Sequence, residues 1–407
     1  MTPAATWEPR YATRAARMKA SEIRELLKLL DQPDIISFAG GIPDPELFPA
    51  DAARRAYADS LGSPALAGQA LQYSTSEGYP PLREWIAAYM GKLSVPCRPD
   101  NILITSGSQQ ALEFLGKLLL SPGDTALVTA PTYLGALQAF SAFEPRYDTL
   151  RPEDGNRTAT AYAETAGETG QVKMAYVVPD FGNPSGETLS FGAREKLLDL
   201  AEELDIPVIE DAAYAALRFS GEPLPCLQAL EVARCGSIDT CRVVYCGTFS
   251  KTIAPGLRVG WVCAAEPLIR RLVLIKQASD LHSSSLNQMV MHRLATETFD
   301  AQVAKARKQY SRRRDAMLAG LQRHMPSGVT WSKPDGGLFV WVTLPKDMDG
   351  AELLQRAVEK ERIAFVPGGA FFADGSGANS LRLSFSLADE AKIEEGIARL
   401  GRLIRSA

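Results

Sequence analysis

Between residues 100 and 264, short β-branched apolar runs alternate with helical ones, and this alternation narrows the choice of fold more than any other feature. The runs are NILIT, TALVTA, MAYVVP, IPVIED, RVVYC and VGWVCAA, with helical patterns between them such as the one from about Ser108 and AREKLLDLAEEL. Strands that read as continuous apolar runs are buried on both faces, so they belong to a mostly parallel sheet covered by helices. Almost every run ends in a polar or Gly-rich element, and ligands of such sheets sit at the carboxyl ends of the strands.

The flanking segments read differently. Residues 1–20 form a mixed arm, and SEIRELLKLL follows with Ile23, Leu26, Leu27 and Leu30 at helical spacing behind a capping Ser21. Ser37 to Pro49 is too rich in Gly and Pro to be regular, and 51–61 and 80–93 read as short helices. A long helical pattern covers roughly 265–323, interrupted by the polar stretch SDLHSSSLN. GGLFVWVTLP, RIAFVPG, SLRLSFS and a last amphipathic helix from about Ala388 then suggest a small α+β domain that the first residues join. The expected division is 1–49, an N-terminal arm, covering helix and loop; 50–290, the large domain; and 291–407, the small one.

Charge and cysteine usage exclude several classes. The 407 residues carry 44 Lys+Arg against 48 Asp+Glu, a net charge of -4, which supplies no broad positive field for nucleic acid. No apolar stretch approaches the roughly 20 residues that cross a bilayer. Six scattered cysteines and three histidines suit neither a disulfide scaffold nor a metal site, and the first 20 residues lack a secretory apolar core, so a reducing cytoplasm is the expected compartment. No G-x-G-x-x-G, P-loop, H-E-x-x-H or G-x-S-x-G is present.

Four segments carry chemistry. After NILIT, the small residues of SGSQQ turn directly into a helix, where Ser108 is either an ordinary N-cap or, with Gln109, offers first-turn amides to a phosphate. IPVIED places Glu210 and Asp211 at a strand end, as a cap for the next helix or as site residues, with Tyr214 three residues on. In RVVYCGTFSKTIAPGLRVGWV, Lys251 lies between two apolar strands among Thr248, Ser250 and Arg258, which suit a phosphate dianion. A lysine beside an anion cluster at strand ends points to a Schiff base with a phosphorylated aldehyde. In SLRLSFS, Arg382 alternates with core residues, either on a solvated face or as a fork for a carboxylate.

Together these segments resemble the class I/II, fold-type I aminotransferases that depend on pyridoxal 5'-phosphate (PLP). Within them the chain looks most like the bacterial subgroup with the 2-aminoadipate and kynurenine/aminoadipate enzymes. The resemblance runs from SEIRELLKLL and SFAGGIPDPELFP through QYSTSEGYPPLRE, SGSQQAL, PTY, PDFGNPSGE, EDAAY and PDGGLFVW to NSLRLSFS. It implies a large α/β domain with a mostly parallel seven-stranded sheet flanked by helices, plus the small α+β domain. It also implies that Lys251 holds the cofactor and shuttles the proton, Asp211 pairs with the pyridine nitrogen, Asn183 and Tyr214 bond the phenolic oxygen, and Tyr133 stacks on the ring. Ser108, Gln109, Ser250 and Arg258 hold the phosphate, with Tyr73 from the other subunit of a homodimer, while Arg382, Asn183 and the Gly40 backbone take the substrate α-carboxylate.

The resemblance further implies that the helix of SEIRELLKLL covers the site, with Arg24 meeting an acidic substrate side chain or simply lying on that helix's polar face; Glu22 beside it opposes the first role. The expected reaction is ping-pong amino transfer between an L-amino acid and a 2-oxo acid. Glutamate/2-oxoglutarate is one pair, and 2-aminoadipate, aromatic or long aliphatic amino acids the other. The alternatives are a β-lyase, a decarboxylase, or a regulator's PLP-binding effector domain, for which the residues before Asp31 are too few to form a DNA-binding module.

Overall fold

A computed structural model describes residues 7–17 and 34–406. Ser21, Glu22 and Arg24 of the expected covering helix lie outside the described residues. In chain order the strands are β1 Ile36–Ser37, β2 Ile102–Thr105, β3 Thr125–Thr129, β4 Arg146–Leu150, β5 Val172–Val177, β6 Val208–Asp211, β7 Val243–Thr248, β8 Gly260–Cys263, β9 Thr330–Trp331, β10 Phe339–Thr343, β11 Ile363–Ala364, β12 Val366–Pro367 and β13 Ser380–Ser384.

The apolar runs assemble into one seven-stranded sheet in the order β2-β8-β7-β6-β5-β3-β4, parallel except for β8. Its two faces feed two separate cores, because successive side chains of a strand point to opposite sides. Ile104, Leu127, Val208 and Tyr245 pack on one face, and Leu103, Val128, Ile209 and Val244 on the other. The strand RYDTL is not among the six apolar runs. It is β4, at the sheet edge and only partly buried, where a polar sequence is tolerated.

The small domain is a four-stranded antiparallel sheet, β12-β13-β10-β9, backed by the helix Glu390–Arg405. The N-terminal segment joins it as expected: β1 pairs in parallel with β11, and Phe38 and Ala39 enter its core. The polar stretch at 279–287 marks a true break, dividing the long pattern into the helices Glu266–Gln277 and Ser285–His324. The second runs for 40 residues, with Val290 and Leu294 in the large core and Tyr310, Met317 and Leu321 in the small one. A third short helix, Pro64–Leu71, and the helix Ala159–Ala166 were not among the expected elements. Among the described residues no helix is long and apolar enough to cross a membrane.

Candidate active site

The carboxyl ends of β5, β6 and β7 and the start of the helix Ser108–Leu119 enclose one pocket. It is lined by Ser108, Gln109, Tyr133, Asn183, Asp211, Tyr214, Ser250, Lys251 and Arg258, residues that lie up to 150 positions apart in sequence. Arg382 adjoins it through Asn183.

The two carboxylates at the end of β6 part company because consecutive strand residues face opposite sides. Glu210 turns away and accepts the backbone N–H groups of Leu227 and Gln228, both at 2.9 Å, so it caps the helix Leu227–Cys235. Asp211 turns into the pocket. It is 3% exposed; Oδ2 accepts from the Tyr176 hydroxyl at 2.9 Å, while Oδ1 has no partner among the described residues. Burial raises Asp211 to about 6, against the pull of the Tyr176 bond, the Ala213 amide and Lys251. A buried acceptor without a donor is costly, and a protonated ring nitrogen of a bound group would supply the missing donor.

Lys251 follows β7 in a turn. Its Nζ donates to Gly41 O at 3.1 Å and lies 5.8 Å from the Tyr214 ring centroid. Burial first, then the positive charges of Arg382 and Arg258, lower its amine to about 8, with Asp211 opposing them. Tyr133 packs its ring against Gly135, and its hydroxyl lies 3.4 Å from Gln109 Oε1. Burial and the nearby Asp211 raise the Tyr133 phenol to about 12, so it is a neutral donor in ordinary buffers.

The anion cup is built by backbone as much as by side chains. Gly107 caps the helix Ser108–Leu119 with φ +81, so Ser108 is the first helical residue and not the N-cap; its amide and that of Gln109 have no acceptor within the helix. That φ is one that L side chains rarely adopt, and a Cβ on Gly107 would also stand 2.5 Å from Arg258 Nη2. Arg258 itself takes a left-handed φ of 54 and donates to Ser106 O at 3.3 Å. Thr248 and Ser250 complete the cup, linked hydroxyl to hydroxyl at 2.9 Å.

Arg382, on β13, is 2% exposed, so its strand face is not solvated. Nη1 donates to Asn183 Oδ1 at 2.8 Å and Nη2 to Ala39 O at 2.7 Å, both neutral acceptors, while Nε has no partner among the described residues. The Phe339 and Phe371 rings lie 4.4 and 5.1 Å from its guanidinium carbon, and burial lowers it to about 10. A buried cation that meets only neutral groups calls for an anionic ligand. Gly40 lies in the same loop, its carbonyl accepting from Ser386 Oγ at 3.3 Å. Tyr73 is 79% exposed and stays outside the pocket of its own chain, with its ring 6.0 Å from that of His282. Arg24 lies outside the described residues. Tyr176 is the site residue that sequence reasoning missed; the one signal was a phenol inside the apolar run MAYVVP.

A planar pyridine with an aldehyde on one side and a phosphate on the other answers the orphaned Asp211 oxygen, the amine and the cup at once. The fold and site are those of a pyridoxal 5'-phosphate enzyme. The family model for class I and II aminotransferases matches residues 33–400, and the chain belongs to that family. It is 41% identical to aromatic-amino-acid aminotransferase 1 of Thermococcus litoralis, over 99% of this chain and 96% of that protein. It is equally similar, at 41% identity and a TM-score of 0.88 over 99% of both chains, to the α-aminoadipate aminotransferase of Thermus thermophilus solved with N-(5'-phosphopyridoxyl)-L-leucine. Against the kynurenine aminotransferase of Pyrococcus horikoshii, solved with pyridoxamine phosphate, the figures are 42% identity, a TM-score of 0.90 and 98% of both chains. The chain is a PLP-dependent aminotransferase.

Proposed function

We propose that the enzyme moves the amino group between glutamate/2-oxoglutarate and a second pair drawn from 2-aminoadipate, aromatic and long aliphatic amino acids. The single observation that carries the reading is one loop shared by two cations. Arg382 donates to Ala39 O and Lys251 to Gly41 O, which sets a carboxylate fork and an amine on carbonyls two residues apart in one loop. An α-amino acid offers a carboxylate to such a fork and a Cα proton to such an amine. The names of the similar enzymes support the range of the second pair.

Bound PLP supplies an electron sink for the charge left when the Cα proton departs. The rest falls to the chain. Asp211 keeps the ring nitrogen protonated, and Asn183 and Tyr214 bond the phenolic oxygen. Tyr133 covers the ring face, and Ser108, Gln109, Ser250 and Arg258 hold the phosphate. Arg382, with Asn183 and the Gly40 backbone, orients the substrate carboxylate. Lys251, an amine lowered to about 8, takes the proton from Cα and returns it at the carbon joining substrate to cofactor. A carboxylate gripped by Arg382 is not the bond set up to break, which favours amino transfer over decarboxylation. Tyr73 reaches the phosphate of the partner in a homodimer; its exposure supports that placement. Six free thiols support a reducing, cytoplasmic location.

The test is a half-reaction: the holoenzyme is mixed with a panel of amino acids and no 2-oxo acid. Glutamate, 2-aminoadipate, phenylalanine and leucine are expected to convert the cofactor absorbance to that of pyridoxamine phosphate. No conversion with any donor would sink the reading.

A further inference from the structure

Lys276 has no exposed surface, lies outside the pocket, and is used by none of the roles above. Its ammonium has three donors and three sets of acceptors: Asp280 Oδ1 at 2.9 Å and Oδ2 at 3.0 Å, Gln110 Oε1 at 2.8 Å, and Ser283 Oγ at 3.0 Å. Gln110 Oε1 also accepts from the Ser106 amide at 2.9 Å. Asp280 Oδ2 accepts from Gln110 Nε2 at 2.8 Å and from Ser106 Oγ at 3.2 Å. Ser106 in turn presents its carbonyl to Arg258 Nη2 at 3.3 Å, and Gly107 follows in its left-handed conformation to start the helix. An unbroken set of hydrogen bonds thus runs from an ion pair, whose lysine is buried and whose aspartate reaches the surface, to both the guanidinium and the helix start of the cup.

A buried ammonium must be paired and hydrogen-bonded, and Asp280, Gln110 and Ser283 meet that need. What the pair adds is direction. Each of its bonds fixes Ser106 or a group that fixes Ser106, and the position of Ser106 sets where Arg258 and the first-turn amides point.

We propose that the Lys276–Asp280 pair is a positioning device for the cofactor's phosphate, holding the Ser106–Gly107 turn so that Arg258 and the Ser108 and Gln109 amides converge on one dianion. The inference rests on the reading of the cup as the phosphate site. Its test compares equilibrium binding of PLP and of pyridoxal, which lacks the phosphate, to the cofactor-free full-length enzyme. Lys276→Met is expected to bind PLP about 10- to 100-fold more weakly, by analogy with the loss when the partners that orient a metal's ligands are removed, and to bind pyridoxal as the wild type does. Asp280→Asn, which keeps the side-chain shape, is expected to shift the PLP-to-pyridoxal ratio in the same direction and serves if Lys276→Met does not fold. Equal losses for both ligands, or an unchanged PLP affinity, would overturn the proposal. Arg258→Ala separates the two levels: if it abolishes the preference for PLP while the Lys276 and Asp280 variants retain it, the positioning role alone falls. If Arg258→Ala also keeps the preference, the cup is not the phosphate site and both fall.

Discussion

Lys251 feels opposing pulls: burial, Arg382 and Arg258 favour its neutral form, and Asp211 favours the charged one. The net lowering to about 8, from 10.5, has a signed consequence for the cofactor-free protein. Between those two pH values the unfolded chain binds the proton and the folded chain does not, so this lysine makes stability rise with pH across that window. Lys251→Met should therefore be more stable than the wild type at pH 7, and the advantage should fade between pH 8 and about 10.5. Denaturant midpoints of both proteins across that range check it; an advantage that does not vary with pH would contradict the lowered amine. Asp211 was legible because its strand end and its company in the motif are local. Tyr176 was not, because its contact with Asp211 is made between neighbouring strands 35 residues apart in sequence.

At the level of elements, the clearest case is the end of β6, where two adjacent acids divide a structural and a site role. The helix Leu227–Cys235 has no side-chain cap of its own at Cys226, and Glu210 provides one from the neighbouring strand. Glu210→Ala leaves two buried amides unpaired and should cost about 1–3 kcal/mol of stability, seen as a lower thermal midpoint. The half-reaction should persist below that midpoint. The apolar parallel strands and the main helices were readable from hydrophobic period alone. The edge strand β4 and the cap at Gly107 were not: β4 owes its existence to pairing with β3, and Gly107 to the positive φ that starts the helix.

For the whole molecule, the 40-residue helix Ser285–His324 packs into both cores, and the N-terminal strand is threaded back onto the C-terminal domain. That return brings Ala39 to Arg382 and Gly41 to Lys251. The exposed Tyr73 carries the prediction at this scale. Each of Tyr73→Ala and Lys251→Ala should be strongly impaired alone. Refolding an equal mixture should restore about a quarter of the wild-type sites, because a symmetric dimer then contains mixed pairs with one intact site each. Activity no higher than the sum of the two variants would show that Tyr73 does not serve its partner.

The sequence by itself determined the α/β class, the strand-end location of the site, and the residue types that line it, because hydrophobic period and turn chemistry depend on near neighbours. Tertiary structure alone decided that Glu210 caps the helix Leu227–Cys235, that Arg382 is buried against neutral partners, and that Tyr176 supports Asp211. The reason is that burial and hydrogen-bond partnership are set by distant segments: Arg382 meets an acceptor 199 residues away and another 343 away.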